Sequence, residues 1–310
     1  MANFTNKDVM KLREQTGVGM MDCKKALVET DGNFDEAVKY LREKGMASAA
    51  KKADRIAAEG LVKCVISDDK KTGVAVEINC ETDFVARSDQ FIALVDNIAN
   101  HILHSSAHTI EEVLAENYYL DKSKTLNVLI AEATAAIGEK ISFRRFTKFV
   151  VNGNGIVASY IHMGGKIGVL TQINSTASQA DLQELAFNVC MQIAASRPQV
   201  ISIADVDAAQ LDSEREILTV QARNEGKPEA VISKMVEGRI HKYYKEVCLL
   251  EQEYVRDSAM SVKQVIADVA KKAGAEITVA KFVRYEMGEG IEKRVDNFVD
   301  EIAEQMKNIK

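Results

Sequence analysis

The sequence predicts an α+β protein with an N-terminal three-helix domain, duplicated α+β core subdomains, an antiparallel coiled-coil protrusion and a C-terminal helical module. Three observations predict this class. Glycines divide the first 45 residues into three short helical patterns. One framework of residues recurs 95 positions further along the chain. Two helical patterns flank a tight turn at 225–228, which is typical of an antiparallel pair of helices.

Composition narrows the class of protein. The 310 residues carry 40 Lys and Arg against 46 Asp and Glu, and this net charge of −6 disfavours broad binding to nucleic acid or anionic membranes. No apolar run approaches the roughly 20 residues of a membrane span, and the first residues lack the pattern of a secretion signal. The five cysteines include no CxxC pair, so we expect reduced, mostly buried thiols in a cytoplasmic protein.

Residues 1–54 are predicted to form the N-terminal domain and the start of a linker. Its third helix is expected to end at Gly45, because glycine commonly follows a helix C-terminus. Three helices of this size and spacing resemble a ubiquitin-associated domain. On the second helix, Met20 and Met21 fit either the core or an adaptable apolar contact, and the sequence leaves both open.

Residues 60–79 recur as residues 155–174 without a gap. The first copy's Gly60, Val62, Ile66, Lys71, Gly73, Val74, Ile78 and Asn79 match Gly155, Val157, Ile161, Lys166, Gly168, Val169, Ile173 and Asn174. An amphipathic helical pattern follows each copy. We therefore predict a duplicated unit of a β-hairpin and a helix.

A short stretch after the predicted strand at 73–80 is the first candidate site: Thr82, Asp83, Phe84 and Val85. Ser88 is a suitable N-cap for the helix that follows, so the stretch is expected on a strand-to-helix loop, where functional residues often lie. An aromatic ring there is either an anchor for a partner or packed on its own core, since most Phe residues are buried. Gln179 replaces Phe84 in the second copy, so the unit folds without that ring, and both interpretations stay open.

The remaining boundaries follow from glycines, prolines and changes of periodicity. We predict core subdomain N at 55–140, the first part of subdomain C at 141–199, the coiled-coil hairpin at 200–243, the return to subdomain C at 244–285 and the C-terminal module at 286–310. The last helical pattern carries a narrow apolar stripe that includes Phe298, and this is sufficient for the helix to dock on another surface.

Motifs of enzymatic chemistry are missing from the sequence. It has no GxxxxGK[ST] phosphate loop, no HExxH and no GxSxG, so we expect no catalytic activity and no cofactor. Three histidines lie close together at His101, His104 and His108. No cysteine or carboxylate cluster accompanies them, so a solvated helix end is favoured over a metal site. Arg144, Arg145 and Lys148 form a basic strand edge, which is favoured as a device against aggregation over a nucleic-acid contact.

These residues resemble the elongation factor Ts family. Two motifs carry most of the resemblance: TGVGMMDCKKAL at 16–27 and the more specific EINCETDFVA at 77–86. Shorter runs at 167–170, 235–239 and 288–293 fall where the family has similar ones. The match spans the chain, and its departures are small, such as Arg87 where the family commonly has Lys.

The resemblance implies a guanine-nucleotide exchange factor that binds elongation factor Tu with GDP, displaces its Mg²⁺ and promotes GDP release so that GTP can bind. It assigns the Mg²⁺ displacement to Thr82, Asp83, Phe84 and Val85. It implies further partner contacts at Met20, Met21, Lys24, His162 and Phe298. The partner is then elongation factor Tu in its GDP-bound and nucleotide-free forms, without direct contact to nucleic acid or membrane and with room for a higher-order complex through the coiled coil.

Two other functions compete with this one. A protein-interaction adaptor, with a ubiquitin-associated-like domain tethered to an oligomerising coiled coil, would bind its ligand through the N-terminal domain and would not need Phe84. A metal hydrolase built on the three histidines would bind zinc and turn over a substrate.

Overall fold

The computed structural model describes residues 3–292 and confirms the predicted α+β class. Its N-terminal part consists of three helices, α1 (Asn6–Thr16), α2 (Met20–Glu29) and α3 (Phe34–Lys51). Leu12, Cys23 and Leu27 are fully buried among them. A core of this size gives limited stability by itself, so the contacts of these helices with the rest of the chain matter.

The first repeat of the core runs from residue 59 to residue 150. Its elements, in chain order, are β1 (Glu59–Ile66), β2 (Thr72–Cys80), α4 (Asp83–Ala86), α5 (Asp89–His104), α6 (Ile110–Ala115), β3 (Asn117–Tyr118), β4 (Asp121–Thr125), α7 (Leu126–Ile137) and β5 (Ser142–Val150). Phe91, Ile98 and Ile102 recur at helical spacing on α5 and are fully buried in the core of this repeat.

The second repeat runs from residue 155 to residue 286. Its elements are β6 (Gly155–His162), β7 (Ile167–Ser175), α8 (Gln179–Ser196), α9 (Ala208–Asn224), α10 (Glu229–Val247), β8 (Glu253–Tyr254), β9 (Asp257–Ser261), α11 (Val262–Ala273) and β10 (Ile277–Glu286). Leu182, Ile193 and Ile173 are fully buried in its core.

The duplication extends beyond the predicted hairpin and helix. In the first repeat the Leu126 amide donates to the Glu116 carbonyl at 3.0 Å, and 136 positions later the Val262 amide donates to the Gln252 carbonyl at 3.0 Å. The run β3–β4–α7–β5 therefore recurs as β8–β9–α11–β10. The spacing grows from 95 to 136 positions because 41 additional residues, which carry α9 and α10, stand between α8 and β8.

Each repeat contributes one three-stranded antiparallel sheet, in the orders β1–β2–β5 and β6–β7–β10. The boundary predicted at 140/141 placed the strand that begins there in subdomain C. The structure pairs β5 with β2 instead, for example Phe146 with Val76, so this strand belongs to the first sheet. The physical reason is that Phe143 of β5 is buried in the core of the first repeat.

The two sheets interlock at equivalent positions. Gly73 of the first repeat leaves the space that Val157 of the second fills, and Gly168 of the second leaves the space that Val62 of the first fills, since a Cβ at either glycine would overlap that valine. The valine amides also cross the seam. Val62 donates to the carbonyl of residue 165 at 2.7 Å, and Val157 donates to that of residue 70 at 2.8 Å. A shared apolar cluster that includes both valines joins the repeats.

The sequence predicts that helix α3 ends at Gly45, but in the structure the helix continues to Lys51. Gly45 is buried against α7, where a Cβ would lie 3.4 Å from the Cβ of Ala135. The glycine therefore permits a close helix approach rather than ending the helix, although its helix propensity is low. Arg42 Nε and Glu132 Oε1, 2.9 Å apart, add an ion pair between the same two helices.

Glu77 of β2 is fully buried and belongs to a charged network. Its Oε1 accepts from Arg144 Nη1 at 2.9 Å and from the Gly288 amide at 2.8 Å, while its Oε2 accepts from Arg145 Nε at 2.6 Å. A buried carboxylate requires such partners, because an unpaired charge is costly away from water. The network fastens the segment 287–290, which follows β10, to the first sheet.

Helices α9 and α10 pack against each other as an antiparallel hairpin. Ala222, Ile232, Val236 and Ile240 are buried between the arms, so the hairpin has a small apolar core of its own. Within residues 3–292 we find no helix with the length and apolar character that crossing a membrane requires.

Candidate functional site

The predicted loop after β2 is the single-turn helix α4. Thr82 is its N-cap, with extended backbone angles and a hydroxyl that accepts from the Val85 amide at 3.3 Å. Ser88 ends this turn and starts the next helix, because its hydroxyl donates to the Val85 carbonyl at 2.8 Å and accepts from the Phe91 amide at 3.3 Å. The predicted cap at Ser88 is confirmed. The chain thus makes one helical turn, breaks, and restarts in α5.

Two side chains of α4 face outward and two face inward. Phe84 is 84% exposed, and Asp83 is paired on the surface with Arg87, whose Nη2 lies 2.9 Å from Asp83 Oδ2. Ala86 is buried and Val85 packs against the core of the first repeat. Of the two interpretations of Phe84 from the sequence, the folded-back one is wrong for this structure. An exposed large aromatic ring marks a candidate contact for a partner.

The residues before α4 are held from another part of the chain. The carboxylate of Glu139, just after α7, accepts from the amides of Glu81 and Thr82 at 3.0 Å each and from the Thr82 hydroxyl at 2.7 Å. Burial raises the pKa of the Cys80 thiol to about 12. This thiol is therefore protonated at neutral pH and donates to the Thr82 carbonyl at 3.2 Å. No sequence pattern points to Glu139, which lies 57 residues from Thr82.

The corresponding part of the second repeat has a different shape. Ser178 caps α8 directly, and the helix runs without a break from Gln179 to Ser196. Gln179, the counterpart of Phe84, folds back and donates from Nε2 to the Asp69 carbonyl at 2.9 Å. The outward turn and the exposed ring are therefore features of the first repeat.

A surface groove of about 480 Å³ lies beside α4. Asp83 and Arg87 line one side of it, and Met163 and Lys166, from the turn between β6 and β7, line the other. Met163 is 64% exposed. The structure thus brings the turn that follows His162 next to the α4 site, which the sequence alone did not show.

The other predicted contact residues lie on two further surfaces. Met20, Met21 and Lys24 of α2 are exposed, so the core alternative for the two methionines is wrong. The loop before α2 lies against the start of α5, since a Cβ at Gly17 would be 3.6 Å from Gln90 Nε2. His162 is exposed at the end of β6, with its Nδ1 3.0 Å from the hydroxyl oxygen of Tyr160. Phe298 lies outside the described residues.

The predicted histidine cluster does not form a metal site. His101 is buried, its Nε2 lies 3.0 Å from Glu116 Oε2, and its Nδ1 accepts from the Tyr119 amide at 3.3 Å. Both ring nitrogens are thus engaged in hydrogen bonds. Between residues 3 and 292 no group of three or more His, Cys, Asp or Glu side chains is placed to hold a metal ion.

The basic side chains of β5 are used within the protein. Arg144 and Arg145 pair with the buried Glu77, and Lys148 Nζ donates to the carbonyls of Ile102, Leu103 and Ser105 at the end of α5. Strand β5 does lie at the edge of its sheet, but these three cations serve internal contacts there. The five cysteines are free thiols, four of them buried.

Comparison with known proteins finds the same family that the motif around α4 resembles. A family model described as Elongation factor TS matches residues 81–289. The chain is 52% identical over 300 residues to Elongation factor Ts of Clostridium perfringens (strain SM101 / Type A), which covers 97% of this chain and 98% of the relative. The Clostridium botulinum (strain Alaska E43 / Type E3) protein of the same name gives the same identity and coverage. The Clostridium acetobutylicum one is 51% identical over 302 residues, again with 97% and 98% covered.

The matched region begins at Glu81, immediately before α4, and ends at Glu289, which contacts the Arg144 and Arg145 side chains. It therefore contains the exposed turn, strand β5 of the first sheet, all three strands of the second sheet and the inserted hairpin. With this region matched and more than half of all positions identical in full-length relatives, the chain belongs to the elongation factor Ts family of translation elongation factors.

Proposed function

We propose that this protein is the guanine-nucleotide exchange factor of elongation factor Tu. The observation that carries the proposal is Phe84, an aromatic side chain left 84% exposed on a one-turn helix that the rest of the chain holds in place. In this function the protein binds the GDP complex of elongation factor Tu and inserts the ring between elements of the partner. GDP then leaves and GTP takes its place.

The chemistry of the step follows from how such partners hold a nucleotide. In phosphate-loop GTPases, Mg²⁺ bridges phosphate oxygens to protein ligands. A ring inserted between the elements that support those ligands displaces the ligands, so Mg²⁺ is lost. Without the bridging cation, nucleotide binding is weaker. The Asp83 carboxylate, held by Arg87, lies beside the ring and orients the turn. By linkage, GDP must weaken binding of this protein by the same factor by which the protein weakens binding of GDP.

Further contacts support a partner that spans several surfaces of this protein. Met20, Met21 and Lys24 on α2, together with Phe298 in the C-terminal module, grip the nucleotide-binding domain, and His162 contacts a second domain. The protein binds no cofactor and catalyses no covalent step, and it works in the cytoplasm. A higher-order complex through the α9–α10 hairpin belongs to the same proposal.

The test is release of fluorescent GDP from elongation factor Tu, with Phe84→Ala as the variant. We expect release to slow at least about tenfold, which corresponds to about 1.4 kcal/mol of lost wedge energy. Stability should change little, because truncation costs roughly 3–5 kcal/mol for a buried Phe and the Phe84 ring is exposed. Leu120→Ala is the matched control, since Leu120 is an exposed apolar residue of the same repeat on a different turn.

Removal of Mg²⁺ sharpens the test. With EDTA in the assay, part of the Phe84→Ala defect should disappear, because the ion that the ring helps to expel is already gone. A folded Phe84→Ala protein that releases GDP at the wild-type rate would reject the wedge. In that case the adaptor function gains support if residues 1–54 alone bind a partner.

A further inference from the structure

We infer that Glu139 is the positioning residue of the exchange site: its carboxylate completes the N-terminal cap of α4 from another element and so fixes the direction in which Phe84 points. This inference rests on the proposed function for its effect on exchange. The contacts of the Glu139 carboxylate are the observation that carries it.

Thr82 caps only part of the N-terminus of α4, and the helix lacks a local acceptor for the Thr82 amide. It has four residues, far fewer than the roughly 12–15 that an isolated helix needs to be even marginally stable. In a capping box, the third helical residue is polar and its side chain accepts from the N-cap amide. Asp8, Glu112 and Gln264 do this in α1, α6 and α11. In α4 that position is Val85, which has no acceptor in its side chain.

Glu139 supplies the missing acceptor. Its Oε2 accepts from the Thr82 amide, the bond that a local capping box would make, and also from the Glu81 amide, both at 3.0 Å. Its Oε1 accepts from the Thr82 hydroxyl at 2.7 Å, and this leaves the hydroxyl oxygen free to accept from Val85. One carboxylate therefore fixes both the backbone and the cap side chain at the start of α4.

A second contact runs in the opposite direction. The Lys140 amide donates to Glu81 Oε1 at 2.6 Å, so residues 81–82 and 139–140 exchange backbone-to-carboxylate bonds both ways. Lys140 Nζ continues to the carbonyls of Ala53 and Arg55 at 2.6 and 2.9 Å, in the segment that leaves the N-terminal helices. These bonds therefore hold the turn that carries Phe84 in a fixed position relative to the end of α7 and to the N-terminal linker.

The second repeat forms the same sheet and helix without a carboxylate equivalent to Glu139. At the position of Glu139 it has Ala275, and at that of Thr82 it has Ala177. Its helix α8 is capped by its own Ser178, whose hydroxyl accepts from the Asp181 amide at 3.2 Å, and it continues for 18 residues. The carboxylate therefore accompanies the broken helix and the exposed ring, not the sheet and helix frame that both repeats share.

A double-mutant cycle on GDP release tests the inference. Glu139→Ala should slow exchange about tenfold in the wild-type background and less than about twofold in the Phe84→Ala background, because a residue that acts through Phe84 has nothing left to position. Glu132→Ala is the control: it removes a carboxylate of α7 that pairs with Arg42 and Lys124, and its effect should be the same in both backgrounds.

The conservative variant separates positioning from charge. Glu139→Gln keeps an oxygen that can accept from the two amides, so it should restore most of the exchange rate lost in Glu139→Ala. If Glu139→Ala slows exchange by the same factor with and without Phe84, the carboxylate acts elsewhere and the inference is wrong.

Hydrogen exchange gives a readout that does not depend on the partner. In Glu139→Ala, amides of residues 81–88 should exchange faster, while those of the equivalent residues 176–183 in the second repeat should not change. Unchanged protection at 81–88 would overturn the inference even if exchange slowed. If Phe84→Ala has no effect on GDP release but Glu139→Ala loses this protection, the structural role of Glu139 at α4 is supported and the proposed role of Phe84 in exchange is rejected.

Discussion

After β2 the chain makes the single turn α4, breaks at Ser88 and restarts as α5, whereas after β7 it enters one continuous helix, α8. At the matching position the first repeat leaves Phe84 exposed, and the second folds Gln179 onto the turn between β1 and β2. Both repeats have the same sheet order and interlock through equivalent glycines and valines. The shared frame is therefore a scaffold, and the candidate site is a local departure from it.

The second repeat departs from the frame in another place. Between α8 and β8 it carries the α9–α10 hairpin, which the first repeat lacks. The Val200 amide donates to the Val247 carbonyl and the Leu249 amide to the Val200 carbonyl, so the two ends of the insertion meet. Each copy has thus gained its own surface feature while the strands kept their register. Two pairs of substitutions and one deletion test how far this division holds.

The largest difference between the repeats should appear at Glu77 and its counterpart Gln172. Glu77→Ala removes the buried carboxylate that Arg144 and Arg145 share and leaves Arg145 paired with Glu289, and loss of one partner from a buried ion pair costs about 3–5 kcal/mol. Gln172 makes one side-chain bond, to Asn174, and its Oε1 has no partner, so Gln172→Ala should cost about 1 kcal/mol. Urea unfolding of the two variants measures both values. Equal losses of stability would contradict the conclusion that the Glu77 network fastens the segment after β10 to the first sheet.

Gly60 and Gly155 should instead respond alike. They have φ angles of +143° and +140°, and a Cβ would overlap the carbonyl oxygen of Ile78 or Ile173 respectively. Each change to Ala should destabilise by at least about 1–3 kcal/mol, because the backbone conformation is open to glycine alone. Thermal unfolding is the measurement. Gly238→Ala in α10 is the control: nothing lies near its Cβ position, so Ala should be neutral or stabilising there.

Removal of the hairpin should have the smallest effect on the core. Replacement of residues 207–244 with a short glycine-rich turn makes the second repeat resemble the first at this point. The buried residues of the hairpin pack on each other, so we expect the free energy of unfolding of the remainder to change by less than about 1 kcal/mol. GDP release should stay within a few-fold of wild type. A folded but inactive variant would make the hairpin a principal contact with the partner.

Features with local causes could be predicted from the sequence. Ser88 is the example: its hydroxyl caps the first turn of α5, and the signal for it is visible in a few residues. The sequence alone left the burial of the Phe84 ring undecided, and the structure shows that the ring is exposed. The second half of the duplication was missed because its residues differ in identity while their backbone bonds agree, as with Glu116 and Gln252.

Features with distant causes could not be predicted. Glu139 reaches Thr82 across 57 residues, and Glu77 reaches Gly288 across 211, so neither leaves a periodic pattern. Gly45 shows the opposite failure, since a local rule for helix ends was overruled by the packing of α3 on α7. The site was thus visible as a motif, while the means by which it is held in place depended on tertiary contacts.

The interlock between the sheets limits how the two copies can change over time. Val62 occupies the space above Gly168, and Val157 the space above Gly73, so each copy's small residue is set by the other copy's large one. A methyl group at Gly73 would overlap the side chains of Val157 and Leu170, so it is tolerated only if these residues of the second copy give up volume. We therefore expect a larger residue at either glycine to require a smaller one in the other copy, so the two copies cannot change independently at this seam.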